Sequence, residues 1–367
     1  MTNQTDLLAC IRGCLLGGAV GDALGAPVEF WSIDAITRVV GTNGVREYLP
    51  APFGTDTGMG LVTDDTQMTL FTVEGLIRAH VRFNERGICH PPSVIHNAYQ
   101  RWLTTQLFNF PPEVTDPMDA DRVDGWLGHQ EWLYSRRAPG NTCLSALEET
   151  RGQGFGDPAQ NNSKGCGAVM RSAPFGLDPT IDAAAMAVEC AALTHGHPTG
   201  QIASGALALL IASLTQGQAL PDAAETALEW TRAQPDGAET ATALAAAIRA
   251  STANAPSSDT VATLGQGWVA EEALAIAVYC CLSFPEAEQF VDALSLSVSH
   301  SGDSDSTGAI CGNILGAIRG EQAIPADFLD PLEGRETIST LANDFFNEIE
   351  GTRETRDKAW FERYPGS

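Results

Sequence analysis

The sequence predicts an all-α protein folded as one compact domain across residues 1–367. Apolar residues recur near the 3.6-residue helical period in one segment after another. No run alternates apolar and polar residues between turn signals, as a half-buried strand does. With 44% hydrophobic and 18% charged residues, the chain is long enough to bury a sizeable core.

The elements follow in order. Residues 6–22 form a helix rich in Gly and Ala, which lets a neighbouring helix approach closely. Helical patterns then fall at 64–84, 92–107, 143–151, 181–193, 198–216, 221–233, 238–252, 268–282, 285–298, 305–319 and 336–350. The stretches 31–62 and 108–142, rich in Pro, Gly and Trp, read as loops long enough to be functional. The polar segment 251–260 (STANAPSSDT) reads as a surface connection, not a domain boundary.

Composition excludes some partners. A net charge of −25 and a pI of about 4.4 repel nucleic acid and anionic membrane. Nine cysteines, an odd number without a CxxC pair, several of them in apolar helical runs, indicate a reducing compartment. The N-terminus lacks the basic lead of a signal peptide, and the apolar stretch 202–214 is too short to span a bilayer. A cytoplasmic protein is expected.

The chemistry concentrates in residues 299–308 (SHSGDSDSTG), just before an apolar, small-residue run. Asp303, Asp305 and Ser306 fall in the first turn of the helix predicted there. One acid at a helix start is explained as a cap. Two acids ringed by hydroxyls also suit a hard cation, because Mg²⁺ and Mn²⁺ prefer oxygen. Thr63-Asp64-Asp65-Thr66 repeats the pattern ahead of Met68, Leu70, Phe71, Val73, Leu76, Ile77 and His80. Adjacent Asp side chains repel, and a cation would neutralise them. If the fold joins the two clusters, four carboxylates and two hydroxyls are enough for a two-metal site.

Three other constellations stand out. Glu29 follows the Gly-rich segment Gly21-Asp22-Ala23-Leu24-Gly25. It reads as a surface glutamate, or as an acid or base on a mobile loop. Asn161-Asn162-Ser163-Lys164-Gly165-Cys166-Gly167 reads as a Gly-rich turn or as a backbone nest for phosphate. It is not a Walker A motif, and Cys166 is read as a structural thiol. In Thr194-His195-Gly196-His197-Pro198 the two His do not share a helix face, so they are expected to cap or hydrogen-bond, not to pair on zinc. His300 reads as a packed histidine.

Five segments together resemble the ADP-ribosylglycohydrolase family: GCLLGGAVGDALGAPVEF, GLVTDDTQMTL, NNSKGCGAVMRSAPFGL, THGHP and SHSGDSDSTGAICGNILGA, in the family's order. The resemblance implies an all-α orthogonal bundle holding two Mg²⁺ ions, with Mn²⁺ an alternative. It implies Thr63, Asp64, Asp65, Asp303, Asp305 and Ser306 as metal ligands. Ser306 stands where the family often has Thr. Glu29, Asp65 and Asp303 are the implied catalytic residues. Ser163, Gly165, Cys166, Gly167 and His195 are implied to line the ADP-ribose pocket, with Cys166 where the family frequently shows Asn. The implied activity is hydrolysis of ADP-ribose from a modified protein, an arginine linkage being favoured. A binuclear hydrolase of another ADP-ribose derivative or phosphate ester, and a silent ADP-ribose binder, are the rivals.

Overall fold

The computed structural model describes residues 6–51, 53, 58–113, 123–153, 157–253, 255–351 and 356–366. Among them there is no strand, and an isolated antiparallel bridge joins Gly165 to Val269. The first helices are α1 (Leu7–Gly25), α2 (Ile33–Val40), α3 (Asp64–Arg86), α4 (Pro91–Leu107) and α5 (Asn141–Glu149). The middle of the chain forms α6 (Ala183–Ala192), α7 (Pro198–Thr215), α8 (Leu220–Ala233), α9 (Ala238–Ala253) and α10 (Ser258–Leu264). The remainder is α11 (Ala270–Ser283), α12 (Phe290–Val298), α13 (Ser304–Arg319), α14 (Ala326–Leu329), α15 (Arg335–Ile349) and α16 (Lys358–Arg363).

The centre of the bundle is a seam between α1 and α13. Gly13, Gly17, Gly21 and Gly25 recur every four residues on α1, so they lie on one face. They oppose Gly316, Gly312, Gly308 and Ser304 in reverse order, which makes the pair antiparallel. A methyl group at Gly21 would sit 1.9 Å from the Gly308 carbonyl oxygen, and one at Gly17 would sit 2.4 Å from that of Gly312. Backbone therefore touches backbone. Asn313 closes the seam by donating to the Cys14 carbonyl at 2.8 Å.

α3 packs on α4, and α15 packs on both α1 and α3. Buried Glu74 accepts from Arg78 at 3.0 Å and from Arg101 of α4 at 2.5 Å, which fixes the two helices together. Gly87, at φ +71°, ends α3 in the left-handed conformation that glycine adopts without strain. The segment from Leu7 to Val28, and α7, are long and apolar enough to cross a membrane by length and composition. Yet 78% and 72% of those stretches are buried within the protein, as core helices are. α7 thus extends beyond the apolar stretch 202–214 read from the sequence.

Two expected loops carry structure. α2 occupies the start of 31–62, and short 3-10 turns at Leu127–His129 and Glu131–Leu133 occupy part of 108–142. Residues 52, 54–57, 114–122 and 254, within the segments expected as loops, lie outside the described residues. The expected connection 251–260 is shorter than read, because α9 runs to Ala253 and Ser257 caps α10. The apolar run after Gly165 forms the 3-10 segments Cys166–Arg171 and Ala173–Leu177, not a regular α-helix.

The far half of α3 holds His80, whose Nε2 lies 2.6 Å from Asp178 Oδ2. Burial lowers the imidazole pKa, but the hydrogen bond and charge of Asp178 outweigh it and raise it above the ordinary 6.5. Burial raises the Asp178 carboxyl, but the bond to His80, the charge of His80 and the hydrogen bonds from Thr180 together outweigh it and hold it below 3.8. The stability tied to the raised imidazole is present below pH 6.5 and is lost as pH climbs through its folded-state pKa. The stability tied to the depressed carboxyl is lost only as pH falls through its own folded value. His80→Gln should therefore cost about 1 kcal/mol near about pH 6 and much less near about pH 9. Urea melts of both proteins at the two pH values check this. An equal cost at both would mean the pair carries no charge.

Candidate active site

The N-termini of α3 and α13 meet beside the last turns of α1, and that meeting forms the site. Thr63 caps α3, its hydroxyl accepting the Asp65 N–H at 3.3 Å. Asp303 caps α13, accepting the Ser306 N–H at 3.3 Å. Asp22, in α1, ties α1 to the start of α3. It accepts the N–H and hydroxyl of Thr63 and the N–H and hydroxyl of Thr66 at 2.5–3.1 Å. Fully buried Asp22 thus orients the turn that presents Asp64 and Asp65.

The acids crowd one another. Carboxylate oxygens of Glu29, Asp303 and Asp305 lie within 4.8 Å of one another. Burial, then the charge of Asp305, pushes Asp22 up to about 7. Burial and the charges of Asp305, Asp303, Asp64 and Asp22 push Glu29 up to about 10. Asp64, Asp65 and Asp305 are held well above the usual carboxylate range, by burial first and neighbouring acids second. Asp303 is also raised by burial, against hydrogen bonds from Asp305, Cys166 and Ser306. Asp65 Oδ1 is buried without a hydrogen-bond partner. A simple cap would be satisfied by the helix it starts; Asp65 is not.

Above the acids lies a cavity of about 560 Å³, within the usual range for a small-molecule site. One wall is the N-terminus of α5, Gly140 to Cys143, which has no side-chain cap. Another is Gly165–Gly167 with Met170 and His195. His195 is buried, and burial and the Arg171 charge push it down to about 3, so it is neutral. At the rim, Phe30 and Trp268 stack with ring centroids 5.2 Å apart. Phe30 is 72% exposed and holds φ at +68°, an uncommon conformation for a side-chain-bearing residue. A second cavity, of about 580 Å³, lies near His80 and Phe83 at the far end of α3 and lacks this acid cluster.

Of the residues singled out from the sequence, Glu29, Asp64, Asp65, Gly165, Cys166, Gly167, His195, Asp303, Asp305 and Ser306 all line the 560 Å³ cavity. Thr63 lies buried behind it with its hydroxyl 2.9 Å from Asp22. Ser163 sits at its edge, its hydroxyl 3.1 Å from that of Thr142. The phosphate-nest reading of 163–167 meets an obstacle. The N–H groups of Ser163, Gly165 and Cys166 already donate to Asn161, Ser163 Oγ and the Trp268 carbonyl. His197 caps α7, accepting the Thr199 N–H at 3.1 Å, so it does not join His195. His300 is a packed histidine, bonded to Thr307 at 3.0 Å.

Sequence reasoning missed Asp22, Trp268 and the start of α5. A charged residue inside an otherwise apolar Gly-Ala helix was the available signal for Asp22. Trp268 carries no local signal.

The fold and the cleft define an all-α protein with an acid-floored pocket of nucleotide-binding size. A family model described as ADP-ribosylglycohydrolase matches residues 3–355, and the chain belongs to that family, whose activity is hydrolysis of ADP-ribose from acceptors. The chain is 28% identical to an uncharacterised protein of Archaeoglobus fulgidus over 339 residues, 91% of this chain and 95% of that one. It is 26% identical to ADP-ribosylarginine hydrolase Tri1 of Serratia proteamaculans, over 94% of this chain and 80% of that protein. A solved structure titled ADP-ribosylglycohydrolase-related protein complex superposes with a TM-score of 0.64 at 25% identity, covering 94% of this chain and 99% of the other.

Proposed function

We propose that the protein removes ADP-ribose from arginine side chains of modified proteins, with Mg²⁺ or Mn²⁺ bound at the acidic floor. The convergence of Asp64, Asp65, Asp303 and Asp305 in one buried cluster, with Asp65 Oδ1 left unpartnered, carries this reading. Such a donor set of carboxylates and hydroxyls fits hard divalent cations. Thr63, Asp64, Asp65, Asp303, Asp305 and Ser306 are the residues that would hold two of them. When bound, the cations orient the distal ribose hydroxyls and stabilise charge that develops on the sugar.

The chain's own groups do the rest. The uncapped N-terminus of α5 offers N–H groups and partial positive charge to the diphosphate, alongside the Thr142 and Ser163 hydroxyls. Neutral His195 hydrogen-bonds the ligand without adding charge. Glu29 protonates the leaving group. Burial, the leading cause of its raised pKa, persists when cations offset the neighbouring acids. Asp65 or Asp303 takes the proton of the attacking water as the C1 bond breaks through an oxocarbenium-like state. The acidic cleft and the exposed Phe30–Trp268 face suit a planar cationic guanidinium, and the name of the Serratia relative agrees. The free cysteines, most of them buried, support a reducing, cytoplasmic setting.

A panel of proteins ADP-ribosylated through arginine, serine or other defined linkages, assayed with Mg²⁺, Mn²⁺ or chelator, tests the proposal. Free ADP-ribose should appear from the arginine substrate with metal and not with chelator. Release of inorganic phosphate instead would replace this reading with phosphate-ester hydrolysis.

A further inference from the structure

We propose that Cys166 makes the acidic floor a mixed sulfur–oxygen site that prefers thiophilic divalent ions, of the zinc and cobalt type, over magnesium. The inference rests on the divalent-cation reading above. Cys166 Sγ donates to Asp303 Oδ2 at 2.8 Å, and Ser306 lines the same cavity with its hydroxyl directed to the Met170 sulfur at 3.9 Å. That carboxylate oxygen belongs to the proposed donor set, and Cys166, Asp303 and Ser306 line one cavity, so the thiol sits inside the set and not behind it. The cavity wall includes Cys166 together with Glu29, Asp65, Asp303 and Asp305. Asp65 supplies an independent observation. It is 3% exposed, faces the same cavity, and its Oδ1 lacks a partner.

The position is held by backbone as well. The Cys166 N–H donates to the Trp268 carbonyl at 3.3 Å, and Gly165 bridges Val269, so the sulfur is fixed over the acids. An all-oxygen site selects Mg²⁺, whereas one thiolate added to carboxylates shifts selection toward zinc-type ions. Loading such an ion breaks the S–H bond, forms a sulfur–metal bond and sends the proton to solvent, with no change of oxidation state.

The test is titration of the metal-free full chain with Co²⁺, followed by absorption. A near-ultraviolet sulfur-to-cobalt charge-transfer band should grow in the wild type and in Cys143→Ser, whose thiol also faces the cavity. Cys166→Ser should still bind Co²⁺ without that band, since Ser keeps a hydroxyl towards Asp303. Its Zn²⁺ affinity should fall about tenfold or more with Mg²⁺ affinity unchanged. Circular dichroism melts confirm that the variants fold. Co²⁺ bound by the wild type without the band, or a band that survives Cys166→Ser, overturns the role of Cys166 alone. No Co²⁺ bound by either protein overturns the divalent-cation reading together with it.

Discussion

Asp65→Asn and Asp303→Ala should each lose at least about 10³-fold in turnover on ADP-ribosylated substrate, because each removes a donor that no neighbour replaces. The accompanying change in stability distinguishes these losses from unfolding. Asp65 sits buried with one oxygen unpartnered, and its nearest influences are other acids. Removing its charge relieves repulsion in the metal-free protein, so chelated Asp65→Asn should melt above chelated wild type. Asp303 differs, because it also caps α13 through the Ser306 N–H. Loss of that cap costs about 1 kcal/mol, which offsets the relief, so chelated Asp303→Ala should melt close to wild type. Added Mg²⁺ should then raise the wild-type melting temperature and leave both variants nearly unmoved. Near wild-type turnover by either variant would remove the ligand assignment.

The same residues explain what could be read before any coordinates. α3 and α13 were legible because each joins a doubled acid start to a long apolar helix, and the acid pair exceeds what capping needs. The helices α2, α14 and α16, of eight, four and six residues, were not, since so few turns give no periodic signal. Asp22 escaped for another reason. Its partners Thr63 and Thr66 lie 41 and 44 residues away, so the bond set exists only once α1 and α3 meet. The Phe30–Trp268 rim is likewise made by tertiary approach. The loop 163–167 reads as a Gly-rich turn or a backbone nest for phosphate, but the bridge to Val269 takes the Cys166 N–H, and side chains take those of Ser163 and Gly165. The uncapped start of α5 instead leaves N–H groups at the wall of the same cavity.

Gly21→Ala should destabilise the protein by about 3 kcal/mol or more, measured by urea melts. The sign is what makes the experiment informative. In an ordinary helix interior, glycine to alanine adds about 1 kcal/mol of stability. Here the new methyl would lie 1.9 Å from the Gly308 carbonyl oxygen, and that oxygen is backbone, so it cannot swing away as a side chain could. The helices must separate, and the tight interior loses contacts on both sides. Gly13→Ala makes a similar clash, 2.2 Å from the Gly316 oxygen, about 12 Å along the same helix. The two variants should therefore lose stability alike and differ at the site. Gly21 adjoins Asp22, the residue that orients the acid-bearing turn of α3, whereas Gly13 does not. Separation at Gly21 should weaken the gain in melting temperature from added Mg²⁺, and separation at Gly13 should leave that gain intact. Gly21→Ala as stable as wild type would mean that α1 and α13 lie further apart than backbone contact.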